Sequence, residues 1–144
     1  MARRITEHLA ANGVTGRALV VLRAEGKGFN AGVDIKEMQS TEGFDALLGA
    51  NKGCFAAFKA VYECSVPVIA AVNGFCVGGG VGLVGNADIV VASDDAYFGV
   101  PEVKLGILPG AGGTLRLPRL VGAVKGLIMV VSGAPIGANA DSER

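Results

Sequence analysis

The stretch "VNGFCVGGGVGLVGNAD", residues 72–88, holds glycine at 74, 78, 79, 80, 82 and 85 and carries no charge before Asp88. Glycine inside an element costs about 0.5–1 kcal/mol relative to alanine, so a cluster of them needs a local return. Two returns are common: a tight turn with positive φ, or room for another group to lie directly against the backbone. The flanking runs "PVIAAV" (67–72) and "DIVVA" (88–92) are short, β-branched and bounded by turn residues, as buried parallel strands are. After the first of these, "GGG" entering a short helix leaves successive N–H groups at a helix N-terminus with no side chain in the way. That arrangement favours negative charge on a bound oxygen.

Working outward, "GFNAGVDIKEM" (28–38) is a second glycine-marked passage leading from strand into helix, with Asp34 placed as the helix N-cap. Two such turns after parallel strands lie at the carboxyl ends of a sheet, where α/β folds bind ligands. They can hold one oxygen between two N–H donors. Neither glycine passage has the spacing of a P-loop or a dinucleotide fingerprint.

The remaining elements read as a helix over Arg3–Asn12, a strand over Arg17–Ala24, a loop over Glu25–Gly32, and a longer helix from Phe44 to Glu63. In that helix Phe55, Phe58 and Tyr62 recur at helical spacing and are assigned to the core. A short extended piece follows around "AYFGV", then helical segments either side of Gly122, and "APIGANADSER" reads as the start of another helix. Alternating strands and helices predict an α/β layer structure with right-handed crossovers. No linker or repeat divides the chain, so residues 1–144 are expected to form a single domain.

Composition narrows the function. Thirteen basic and thirteen acidic residues cancel, which removes the bulk electrostatic argument for nucleic acid or an anionic membrane as partner. The 24 residues from Cys64 to Ala87 carry no charge, but Pro67, two asparagines and six glycines interrupt them, against a membrane span. Cys54, Cys64 and Cys76 fit neither a disulfide framework nor a zinc site, so no metal is expected and a reducing cytoplasm fits best. The amino terminus has no apolar core of signal-peptide length. His8 reads as a surface residue and Cys76 as core filler. Lys104, Arg116, Arg119 and Lys125, with no acid between Glu102 and Asp141, read as a solvated helix face or a contact for an anion such as a phosphate.

"GFNAGVDIKEM", "PVIAAVNGFCVGGGVGL" and "ADIVVASDDAYFGVPEVKLGILPGAGGTLRLPRLVG" together resemble the crotonase superfamily, the enoyl-CoA hydratase/isomerase family, in order and spacing from Arg17 to the carboxyl terminus. The resemblance implies a ClpP/crotonase-like spiral of ββα units, incomplete here because members are longer at both ends, and an acyl-CoA thioester as substrate with no separate cofactor. It implies that the backbone N–H groups of Val33 and Gly79 stabilise a thioester enolate, with Ala31, Val33, Asp34, Ile35, Gly78, Gly79, Pro101, Leu105 and Gly110 around the substrate. Full-length relatives are expected to be homotrimers or hexamers.

Enoyl-CoA hydratases of this family position a water with two glutamates. At the corresponding positions this chain has Gly82 and Glu102. One carboxylate suits single-base chemistry: proton shuttling in an enoyl-CoA isomerisation, or activation of water. The motif that marks the hydroxyisobutyryl-CoA hydrolases of the superfamily is absent, since Gly110 replaces their aspartate. "GFNAGVDIKEMQ", "CFAAFKAVYEC" and the opening stretch resemble the actinobacterial crotonase-like enzymes that hydrolytically open a ring of a steroid-derived β-diketone CoA ester. "LGILPGAGGTLRLPRLVG" is ordinary hydratase/isomerase sequence. A hydratase/isomerase-type enzyme, a ring-opening hydrolase and a non-catalytic fragment are therefore the expectations, in that order.

Overall fold

The alternation Val68–Ala70–Val72, buried on one face, and the short turn at Asn73–Gly74 set the pattern of the whole chain: a strand in one sheet, a corner, then a strand in a second sheet. The structure, a computed structural model, describes residues 19–34, 36, 43–110 and 113–140. The strands are β1 (Val20–Arg23), β2 (Gly28–Asn30), β3 (Val68–Val72), β4 (Phe75–Val77), β5 (Ile89–Ala92), β6 (Tyr97–Gly99) and β7 (Ile136–Gly137). The helices are α1 (Phe44–Tyr62), α2 (Gly79–Val84), α3 (Leu117–Val121) and α4 (Ala123–Ser132), with a 3-10 turn over Pro101–Leu105.

β1, β3 and β5 form one parallel sheet in that order, and β2, β4 and β6 a second, to whose edge β7 adds antiparallel. Each pair of strands thus contributes one strand to each sheet, and a helix follows the first two pairs: the ββα unit of the expected fold, repeated. The corner between β3 and β4 needs Gly74. Its φ is 54°, and a Cβ there would overlap the carbonyl oxygen of Lys27.

The core gathers Phe29 of β2, Ala57, Phe58 and Val61 of α1, Val68, Ala70 and Val72 of β3, Cys76 of β4, and Val81, Leu83 and Val84 of α2. Burying one such aromatic stabilises by about 2–3 kcal/mol, so Phe58 alone goes far to hold α1 in place. Phe55 and Tyr62, assigned to the core by their spacing, are instead 65% and 62% exposed. They lie off the stripe of Phe58 and Val61, and Tyr62 carries the guanidinium of Arg116 at 4.1 Å from its ring centre.

Other expectations are corrected at the level of short elements. The loop over Glu25–Gly32 contains β2, the glycine passage begins with β4, and the expected terminal helix opens with β7 pairing Ile136 to Phe98. β5 is an edge strand with Ile89, Val90 and Val91 exposed, not a buried one. The Arg3–Asn12 helix, His8, Ile35 and most of the helix after Asp34 lie outside the described residues. At its start the Lys36 N–H donates to Asp34 Oδ1 at 2.9 Å, as an N-cap aspartate accepts.

Candidate active site

Three adjacent parallel strands, β2, β4 and β6, all end on the same side of their sheet, and each carboxyl end carries one part of the candidate site. β2 ends at Asn30 and passes into Ala31, Gly32 and Val33. β4 ends at Val77 and passes into Gly78, Gly79 and Gly80. β6 ends at Gly99 and, through the buried Val100, passes into the 3-10 turn that carries Glu102.

Two glycines in the left-handed region bend the first two strand ends sharply: Gly32 at φ 101° and Gly78 at φ 56°. The Gly78 N–H still donates to Gly99 O at 2.9 Å, keeping β4 paired with β6 to the last residue. Val81 and Gly82 N–H then donate to Gly78 O at 3.0 and 3.3 Å, closing the first turn of α2. Gly79 stands at the first position of that helix, where an N–H has no intrahelical acceptor. Neither the Gly79 nor the Val33 N–H has a backbone acceptor among the described residues.

The two turns lie within one added carbon's reach of each other. The Gly79 nitrogen lies 3.4 Å from where a Cβ on Gly32 would stand, and the Val33 nitrogen 3.8 Å from where a Cβ on Gly79 would stand. Covalent geometry then limits the separation of the two nitrogens to about 6 Å, a gap that one oxygen spans at hydrogen-bond lengths. A Cβ on either glycine would stand at ordinary contact distance in this space, whereas within the apolar stretch a Cβ on Gly74 would overlap the Lys27 carbonyl oxygen and one on Gly80 would stand 2.7 Å from that of Asn30, too close to be accommodated.

Glu102 completes the cluster. Its Oε1 lies 3.3 Å from the Cβ position of Gly78, and the Gly32 Cα lies 4.0 Å from that same point. The carboxylate therefore stands over the junction of the two glycine turns. Its Oε2 is buried with no hydrogen-bond partner among the described residues. Leaving such an oxygen unsatisfied costs about 1–3 kcal/mol, which marks Glu102 as a candidate for a functional role. The backbone around it is fixed: Ile107 N–H donates to Glu102 O at 3.1 Å, and Gly106 ends the turn at φ 72°.

Of the other residues expected at the site, Ala31 and Asp34 are exposed on the first turn, Val33 is 42% exposed, and Pro101 precedes Glu102. Leu105, at the end of the 3-10 turn, and Gly110 are both exposed, and neither is among the atoms nearest to Gly32, Gly78 or Gly79. Asn30 was not singled out in the sequence, and Gly32 and Gly80 only as members of the two glycine passages, although all three belong to this cluster. The one available signal was an asparagine two residues ahead of a turn glycine, a pattern that hydrogen-bonds its own backbone.

Cys76 beneath the cluster is fully buried, and burial pushes its thiol up to about 12 from the ordinary 9.0, so it packs as an apolar group. A separate cavity of about 580 Å³ lies on the far side of α2, lined by Val84, Phe98, Arg116, Leu117, Lys125 and Met129 among others, and none of Val33, Gly79 and Glu102 faces it. Among the described residues no three His, Cys, Asp or Glu side chains come together as a metal site, and no helix is long and apolar enough to cross a membrane.

Known proteins share this arrangement of sequence and fold. A hydrolase of Mycobacterium tuberculosis, (7aS)-7a-methyl-1,5-dioxo-2,3,5,6,7,7a-hexahydro-1H-indene-carboxyl-CoA hydrolase, is 74% identical over 102 residues, which cover 71% of this chain and 40% of the hydrolase. The protein of the same description from Rhodococcus jostii is 69% identical over 103 residues, 72% of this chain and 39% of its own. The crystal structure of an enoyl-CoA hydratase from Bacillus anthracis superposes with a TM-score of 0.90 at 33% identity, over 99% of this chain and 55% of the hydratase. The chain thus spans about two fifths to just over half the length of these relatives. The sequence profile described as enoyl-CoA hydratase/isomerase matches residues 12–144, nearly the whole chain, and by that match the chain belongs to the enoyl-CoA hydratase/isomerase family of the crotonase superfamily.

Proposed function

We propose that this chain forms the oxyanion-binding part of an enzyme that opens a ring of a cyclic β-diketone CoA ester by adding water. The observation that carries the reading is the single carboxylate. Glu102 stands over the two glycine turns, and Gly82, where hydratases of the family place a second glutamate, has no side chain to offer. The high identity to two hydrolases whose substrate is a dioxo-indene carboxyl-CoA supports the same choice.

In this mechanism the thioester oxygen accepts from the N–H groups of Val33 and Gly79. Glu102 takes a proton from water as the water oxygen attacks a ring carbonyl carbon. The adjacent ring carbon–carbon bond then breaks, its electron pair is delocalised toward the thioester oxygen, and Glu102 returns its proton to the released carbon. One water is added and no redox change occurs. Oriented donors of this type are each worth a factor of about 100 to 1,000 in rate, and backbone N–H groups supply them without titrating. Ala31, Asp34, Ile35, Gly78, Pro101, Leu105 and Gly110 border the CoA ester in this reading. Coenzyme A enters as part of the substrate and no other cofactor is needed. The described fold is read as part of one crotonase-like domain acting in the cytoplasm, assembled as a homotrimer or hexamer in its full form.

The enoyl-CoA hydratase/isomerase reading has its own support in the 0.90 TM-score to a hydratase. Mass spectrometry separates the two readings. A cyclic β-diketone CoA ester gains one water if the ring opens, whereas a β,γ-enoyl-CoA isomerises without a change of mass. Glu102→Gln keeps the shape and removes the proton acceptor, so it is expected to lower the active turnover by about 100-fold or more while CoA-ester binding persists. Turnover of neither substrate, with Glu102→Gln indistinguishable from the parent, would leave a non-catalytic chain as the better account.

A further inference from the structure

We infer that Asn30 is the positioning residue that sets the spacing between the two N–H donors, an assignment that rests on the oxyanion reading above. Asn30 is the last residue of β2 and is in register with the buried Cys76 of β4, so its backbone is fixed by the sheet. Its side chain faces both turns at once.

Toward the first turn, Asn30 Oδ1 accepts from the Gly32 N–H at 2.7 Å. This bond commits the Gly32 N–H, and with Gly32 at φ 101° the next peptide leaves the Val33 N–H clear of backbone acceptors. Toward the second turn, Asn30 packs against the start of α2. A Cβ on Gly80 would stand 2.7 Å from the Asn30 carbonyl oxygen, 2.9 Å from its Cβ and 3.2 Å from Oδ1. The same residue therefore fastens the peptide preceding one donor and forms the wall against which the helix carrying the other is seated. Glycine at 80 is what permits that approach.

A side chain of the same shape without the acceptor would leave the Gly32 N–H unsatisfied beside the site and release the Gly32–Val33 peptide to turn. Small displacements of an oriented donor cost rate far more than they cost binding. Asn30→Leu supplies that shape, and Asn30→Asp retains the acceptor.

The test uses 4-(dimethylamino)cinnamoyl-CoA, whose absorption moves to the red when its thioester carbonyl is polarised. The parent chain is expected to bind it with a red shift. Asn30→Leu is expected to bind within about threefold of the parent affinity but to lose most of the shift, with kcat on the turnover substrate down at least about tenfold and KM little changed. Asn30→Asp is expected to keep the shift. Gly80→Ala, which pushes on Asn30 from the opposite side, is expected to repeat the Asn30→Leu result and replaces it should that variant not fold. A full shift and unchanged kcat in folded Asn30→Leu or Gly80→Ala overturn the role of Asn30. A parent chain that binds the probe with no shift overturns the oxyanion reading itself, a distinguishable failure.

Discussion

In the proposed reading, Gly82 decides how many carboxylates the site can bring to a water. It lies on α2 one turn beyond Gly79, buried, with its N–H donating to Gly78 O and its carbonyl oxygen accepting from Asn86 Nδ2 at 2.6 Å. The backbone at this position is thus already fixed, and a side chain is what is missing. The resemblance implies that enoyl-CoA hydratases carry glutamates at the positions of Gly82 and Glu102 and hold a water between them for addition across a double bond. Gly82→Glu is therefore expected to raise hydration of crotonyl-CoA by at least about tenfold over the parent, the low end of general acid–base contributions, in a variant that still binds CoA esters. Loss of absorbance of the conjugated thioester measures it. A folded, CoA-ester-binding variant with no gain would argue that the missing glutamate is not what separates this chain from its hydratase relatives.

At the scale of elements, the β3–β5 pairing is held at its start by one residue. Asp88 N–H donates to Val68 O at 2.9 Å, and Asp88 Oδ2 accepts from the Val68 N–H at 2.8 Å, so a side chain extends the ladder by one bond. Asp88→Ala removes the acceptor from a half-buried N–H at the first residue of the central strand. The expected cost is about 1–2 kcal/mol, a fall in melting temperature of about 5 °C, followed by circular dichroism. Asp88→Asn, which keeps a side-chain oxygen, is expected to recover most of it. The long elements were legible because they repeat their pattern enough times to be read: β3 shows five residues of strict alternation, and α1 runs for five turns. β2, β4 and β7 have two or three residues each, too few for any period, and are strands only because a parallel or antiparallel neighbour pairs with them. The same limit applies at the site. Val33, Gly79 and Glu102 were named through the resemblance to a known family, whereas Asn30 and Gly80 matter through a contact between two turns that are fifty residues apart in sequence.

For the molecule as a whole, the unusual feature is where its apolar surface lies. α4 buries Gly126 and Met129 but exposes Val124, Leu127, Ile128 and Val131, and these four follow the i, i+3, i+4, i+7 spacing of one helix face. Leu120 of α3 and Ile89, Val90 and Val91 of the edge strand β5 are exposed as well. A helix with an apolar stripe on its outer side is built to be covered, and contiguous patches of this kind mark interaction surfaces. Full burial of one such side chain is worth about 1.5–3 kcal/mol, so four on one face suffice to offset much of the entropy lost on association. With zero formal net charge, long-range repulsion does not oppose it. The chain is therefore expected to self-associate in a concentration-dependent way in sedimentation velocity. The double variant Val124→Glu, Ile128→Glu places two like charges on that face and is expected to shift the population to monomer, with the circular dichroism spectrum unchanged because neither side chain is part of the core. A parent chain that sediments as a monomer at every concentration, or a double variant that associates as strongly as the parent, would show that the α4 face is not the surface of contact.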